Sequence, residues 1–92
     1  MRSYASIDRI EGEYAVCEVE LLPVEESNPE NFAIKDCEMM NFPLNDIPTN
    51  VGDVNEGDML VVEHNGEKIS SVCSKDEQEK TRRLELLKLI MG

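Results

Sequence analysis

Apolar and polar residues alternate from Tyr14 to Leu21, with Ala15, Cys17, Val19 and Leu21 on one face and Glu18 and Glu20 on the other beside Val16. A period of two marks a strand with one face buried. Ser3 to Ile10 reads as its hairpin partner, joined through Glu11-Gly12-Glu13, where Gly12 supplies the positive φ of a short turn. Leu22 to Asn31 breaks the pattern with Pro23, Ser27, Asn28, Pro29 and three glutamates, the composition of an exposed loop. Phe32 to Phe42 is a predicted third strand, with Phe32, Ile34, Met40 and Phe42 on one face. Asp36 and Glu38 interrupt that face, which predicts a bulge or bend there, and Pro43 ends the strand. Leu44 to Asn55 is a turn-rich connection anchored by Leu44, Ile47 and Val51 and punctuated by Pro48 and Gly52.

Asn55-Glu56-Gly57-Asp58 forms a turn leading into the apolar run Met59 to Val62. Asn65-Gly66, the preferred pair of a two-residue type I′ hairpin, joins that run to a fifth strand over Glu67 to Cys73. Ser74-Lys75-Asp76-Glu77 has the form of a capping box, with Ser74 as the cap and Glu77 reaching back. Asp76 with Lys80 and Glu79 with Arg83 are spaced i, i+4 in the favourable acid-first order. Leu84, Leu87 and Met91 follow as an apolar stripe, widened by Leu86 and Ile90. A small sheet needs an apolar cover, so this helix is expected to close one open end through Leu84, Leu87, Ile90 and Met91.

The elements add up to a β-rich α+β fold in one domain over residues 1–92. Residues 1–73 form a five-stranded, strongly bent antiparallel sheet or small open barrel of the SH3/OB-like kind, and 74–91 form a C-terminal helix. Ninety-two residues are enough for one modest core and no more.

Charge then narrows the partners. Through Cys73 the chain carries sixteen Asp and Glu against Arg2, Arg9, Lys35 and Lys68, whereas the remainder is nearly balanced. A formal net charge of −11 repels phosphate polymers and anionic membranes and favours cationic surfaces. Direct nucleic-acid binding is not expected, since a basic groove interleaved with aromatics is lacking and Tyr4, Tyr14, Phe32 and Phe42 are the only aromatics. An acidic face that mimics nucleic acid is another route to a cationic partner. No apolar run approaches the ~20 residues of a membrane span, which together with the absence of a leader-like start leads to an expected cytoplasmic location. Three cysteines without a Cys-x-x-Cys spacing agree with a reducing compartment.

Candidate chemistry is sparse. His64, just before Asn65-Gly66, reads as a surface residue at a strand end. Cys17, Cys37 and Cys73 with His64 have the composition of a zinc site but lack paired ligand spacing, and the surrounding carboxylates work against a reactive thiolate. Asp46, Asp53 and Asp58 do not match a calcium loop. No catalytic, cofactor-binding or metal-ligating residue is therefore assigned. Gly12, Gly57, Asn65 and Gly66 are read as turn residues, Ser74 and Glu77 as caps, and Asp8 and Asp58 as caps or ion-pair partners near the rim. Arg9 is expected to pair with a neighbouring acid.

Three pieces stand in a particular order. They are Ile7-Asp8-Arg9 before Glu11-Gly12 and Ala15-Val16; Phe42-Pro43 before Ile47-Pro48 and Glu56-Gly57-Asp58-Met59-Leu60; and Thr81-Arg82-Arg83 before the leucines. Together they resemble a bacterial family known as domain of unknown function 3006. The resemblance implies a short β-barrel-like domain with a C-terminal helix. Some members of that family lie beside or are fused to competence-type metallo-β-lactamase domains, which implies an accessory module and assigns no chemistry.

The function expected on these grounds is that of a small acidic, non-catalytic interaction or accessory module. Its acidic face would involve Glu18, Glu20, Glu25, Glu26, Glu56 and Glu63 and would meet a basic protein surface. One alternative is a homotypic role, as a monomer or weak homodimer joined through Leu86, Leu89 and Ile90. A second is a thiol- or metal-dependent enzyme.

Overall fold

The computed structural model describes residues 1–27 and 36–91, the side chain of Met91 excepted. Its strands are β1 (Arg2–Glu11), β2 (Tyr14–Glu20), β3 (Cys37–Pro43), β4 (Met59–His64) and β5 (Ile69–Lys75), followed by α1 (Glu77–Met91). Two short 3-10 turns, η1 (Val24–Glu26) and η2 (Leu44–Asp46), interrupt the connections. The sheet order is β3-β2-β1-β4-β5 with every neighbouring pair antiparallel, the expected five-stranded β-rich α+β fold.

β1 is the central strand because its two ends pair on different sides. Arg2 to Ser6 face β4, and Ala5 to Glu11 face β2. The register with β2 slips between Ile7 and Arg9, leaving Asp8 as the extra residue. A bulge increases local twist. The small inward side chains Ala5, Ala15 and Cys17, all at 0% exposure, let the strands curl tightly over the core. The two edges, β3 and β5, consequently come within 8 Å of each other at Cα without a ladder between them. The bulge expected near Asp36 and Glu38 is not in β3, which pairs with β2 in unbroken register from Cys37 to Pro43. Besides β1, the β4–β5 pair shifts register. Phe32 and Ile34 lie outside the described residues.

The core inside the curl is covered by the connection between β3 and β4. Val51 is buried there, and Leu44, Ile47 and Val54 pack against the cluster of Ile7, Val19, Phe42, Leu60 and Val62. No described helix side chain belongs to this core. The helix was expected to close the open end, and that expectation fails for this reason: the end is already closed. Leu84, Leu87 and Ile90 are 49%, 43% and 64% exposed.

One turn expectation holds and the other needs adjustment. Glu11 pairs directly with Tyr14, so Gly12-Glu13 is a two-residue turn, and Gly12 at φ 57° before a residue of negative φ is the type II′ combination. At the other hairpin His64 pairs with Ile69, which leaves a four-residue loop. Gly66 has φ 92° but Asn65 does not have positive φ, so the turn is not type I′. The Asn65 side chain forms the turn instead, its Oδ1 accepting from the Glu67 and Lys68 amides at 2.9 and 2.8 Å.

The helix start is also shifted. Ser74 lies within β5, and the Glu79 amide donates to Asp76 Oδ1 at 2.9 Å, so Asp76 is the cap and Glu77 is the first helical residue. The strand wins Ser74 because Val61 pairs with it and Leu60 with Lys75. In chemical denaturation Asp76→Ala is expected to cost about 1 kcal/mol through the lost cap. Ser74→Ala, exposed and uninvolved in capping, should stay within ~0.5 kcal/mol of wild type. The opposite ranking would restore the capping box.

Candidate functional site

Successive residues of β2 alternate between core and outer face, which puts Glu20 on the outside of the sheet. There it is nevertheless buried, at 5% exposure, because the first half of α1 lies over it. Arg83 donates through Nη1 to Glu20 Oε2 at 2.5 Å and through Nε to Glu79 Oε2 at 2.7 Å. Its Nη2 donates to Ser27 Oγ at 3.2 Å, and the Ser27 hydroxyl donates to Glu20 Oε1 at 2.6 Å. The guanidinium also lies 4.9 Å from the centre of the Tyr4 ring, and Arg82 approaches Glu79 at 3.8 Å. Burial and the nearby Glu79 raise the Tyr4 hydroxyl above its usual pKa, so it stays neutral beneath the cation.

A second tie lies one turn earlier. Lys80 Nζ donates to Asp58 Oδ1 at 2.8 Å, and the Asn55 amide donates to Oδ2 at 2.8 Å. Burial alone would raise the Asp58 carboxyl, but these two hydrogen bonds outweigh it and hold the pKa below 3.8. Asp58 thus both pairs with the helix and closes the turn before β4, while the Gly57 amide donates to Ile7 O at 2.8 Å and anchors that turn to β1.

His64 overturns its surface assignment. It shares the inward parity of Leu60 and Val62 and is 4% exposed. The Gly66 amide donates to Nδ1 at 3.0 Å, so Nε2 carries the proton and donates to Ser3 Oγ at 2.8 Å. Ser3 passes its own proton to Leu22 O at 2.6 Å. This is the reverse of a nucleophile–base pair, since the serine proton points away from the imidazole. Cys17, buried in the core, has its thiol pushed up to about 11 by that burial and is protonated at neutral pH. Among the described residues no group of three or more His, Cys, Asp or Glu side chains is placed to hold a metal ion, and no helix is long and apolar enough to cross a membrane.

The six acids expected to share one face are separated. Glu20 is spent on Arg83. Glu63 is half-buried beside Arg2 and the Met1 amine, at 3.5 and 3.4 Å. Glu18 stands opposite Ser6, four residues along β1 from the Arg2–Glu63 pair, or ~13 Å at strand rise. Glu18, Glu25, Glu26 and Glu56 remain exposed. Glu25 and Glu26 immediately precede Ser27 and so flank α1 at the Arg83 turn. Arg9 does pair with Asp8 and Glu11, but on the exposed surface, where such pairs contribute little. Local sequence could have exposed the burial of His64 through strand parity. It held no signal for Glu20, whose partner lies 63 residues away.

Arg83→Met leaves Glu20 and Glu79 facing each other with the shared cation gone. The expected cost in urea denaturation is about 3 kcal/mol, the low end for a broken buried pair because α1 can lift and hydrate both acids. Adding Glu20→Gln should recover part of it. An Arg83→Met protein as stable as wild type would remove the cluster from the account.

Burial holds His64 below its usual value of 6.5, the Met1 amine adds to this and Glu63 opposes it. The folded state therefore binds fewer protons than the unfolded chain. The stability tied to neutral His64 is complete above about pH 6.5 and is lost as pH falls through the lower folded value. The urea midpoint should drop between pH 7.5 and 5.5 in wild type, while His64→Gln should flatten this dependence. The Asp58 contribution is lost separately, as pH falls below 3.8.

No family model, curated protein or solved structure matches this chain, and a functional reading rests on the geometry above.

Proposed function

We propose that this chain is a non-catalytic protein-interaction module that docks through the distal half of α1. The observation carrying this is the exposure of Leu84, Leu87, Leu89 and Ile90, from 43% to 81%, on a helix whose hydrogen-bonded ties to the sheet among the described residues lie in its first half, at Lys80 and Arg83. Glu79 and Arg83 bind the sheet. Leu87 and Ile90 continue that same face, four and seven residues beyond Arg83, past the point where the sheet supports it. Six of the eight residues from Leu84 to Met91 are apolar, with only Glu85 and Lys88 interrupting them. A helix apolar over most of its circumference normally lies in contact with protein or lipid.

Charge favours a cationic partner over a second copy. Two chains of net charge −11 repel, whereas the exposed Glu25 and Glu26 directly precede Ser27, the residue that Arg83 of the helix holds. The matching partner surface is an apolar groove with Lys or Arg on its rim. Apolar contact would supply the affinity, and the rim charges would supply speed and orientation. Such a role is consistent with the accessory function that the resemblance to domain of unknown function 3006 implies.

The test combines capture from native extract, zero-length carbodiimide cross-linking and sedimentation, for wild type and Leu87→Glu/Ile90→Glu. The double variant touches no core residue and should unfold within ~0.5 kcal/mol of wild type. Wild type is expected to cross-link, through Glu25 or Glu26, to lysines of one partner, with binding that weakens as salt rises past about 0.15 M. The variant should lose that product. A salt-insensitive dimer of wild type would replace the cationic partner by a second copy. Identical behaviour of the two proteins would end the reading altogether.

A further inference from the structure

The loop joining β4 to β5 brings together, around the chain's one Asn-Gly pair, the groups an acyl-transfer reaction uses. The electrophile is the Asn65 side-chain amide. Its Oδ1 already accepts two backbone hydrogen bonds, from Glu67 at 2.9 Å and Lys68 at 2.8 Å. Two amides aimed at a carbonyl oxygen form an oxyanion hole, favouring the charge that builds there when the carbon is attacked. The nucleophile is the Gly66 nitrogen, whose N–H points to His64 Nδ1 at 3.0 Å. That nitrogen of the imidazole is unprotonated, since it accepts this hydrogen bond, and the ring proton sits on Nε2, which lies 2.8 Å from Ser3 Oγ. Gly66 has no side chain to shield the attack, and nothing lies within 4 Å of where a Cβ would be. Asn65 itself is exposed, so water reaches the product.

We infer that the β4–β5 turn is a self-modifying site, at which His64 acts as general base for succinimide formation and deamidation at Asn65. The Gly66 nitrogen gives its proton to His64 Nδ1 and bonds to Asn65 Cγ, while the carbonyl electron pair moves onto Oδ1. The pair returns as the bond from Cγ to the side-chain nitrogen breaks, and that nitrogen leaves as ammonia with the proton returned by His64. One water then opens the ring at either carbonyl, leaving an aspartyl or isoaspartyl linkage at position 65. The event is intramolecular and happens once per molecule. It adds a carboxylate between Glu63 and Glu67, and the isoaspartyl product also inserts a methylene into the backbone of the turn.

The unfolded chain retains Asn65-Gly66 but loses both the oxyanion donors and the imidazole. Ammonia release and peptide mapping of the full chain, folded in buffer and unfolded in urea at the same pH and temperature, therefore isolate the contribution of the fold. Deamidation at Asn65 is expected to be at least about tenfold faster in the folded protein, a figure set below the usual 10²–10⁴ of general base catalysis because burial opposes a charged imidazolium. Folded His64→Gln should be slower than folded wild type by a similar factor. The comparison within wild type keeps the test decisive if that variant folds poorly. A folded wild-type chain that deamidates no faster than the unfolded one overturns the proposal, as does a folded His64→Gln protein that reacts as fast as wild type.

Discussion

A guanidinium shared between two buried carboxylates is the interaction on which the placement of α1 against the sheet chiefly depends. Arg83 cannot leave Glu20 and Glu79 without stranding two negative charges out of water, and neither acid can turn away without leaving the cation short of acceptors. That mutual requirement holds α1 across the outer face of the sheet. It also covers Tyr4 and, through Ser27, draws the segment after β2 against the helix. The curled sheet and its capping connection fold around an apolar core, but the helix is placed by electrostatics.

The charge asymmetry of the chain acquires a different meaning in this light. An acid-rich body followed by a balanced tail suggests a surface seeking an external cation. Much of that demand is met internally. Lys80 takes Asp58 and Arg83 takes Glu20, so the cations of α1 neutralise acids of the sheet that it covers. Fewer acids are left exposed than composition implies, and they are more dispersed, while the apolar surplus lies in the stretch of α1 beyond Lys80 and Arg83.

The fold was legible where the rules are local. Alternation in β2, the Gly12 turn and the break at Pro43 each depend on neighbours a few residues away, and the described strands overlap the expected ones with shifts of a few residues at their ends. The errors are competitions between local signals and distant pairings. Ser74 has the chemistry of a helix cap, yet its ladder partner Val61 keeps it in β5 and hands the cap to Asp76. Leucine spacing in α1 describes an apolar stripe correctly but does not say that Val51, Leu44 and Ile47 have already filled the place it would occupy. Glu20 looked like its neighbour Glu18, and only the tertiary position of Arg83 distinguishes them.

The separation of core from helix has a mechanical consequence. Tension applied along the distal end of α1 would be carried first by the short row of contacts at Lys80 and Arg83, which break in succession as the helix lifts. The edge ladder β4–β5, which leads straight into α1, would be loaded only afterwards, and the β1–β4 and β1–β2 ladders later still, so the core stays sealed while the helix peels. A domain built this way behaves as a rigid bead on a peelable strap. It can yield under load at its outer attachment, and reseat there when the load is removed, without its interior ever being opened to water.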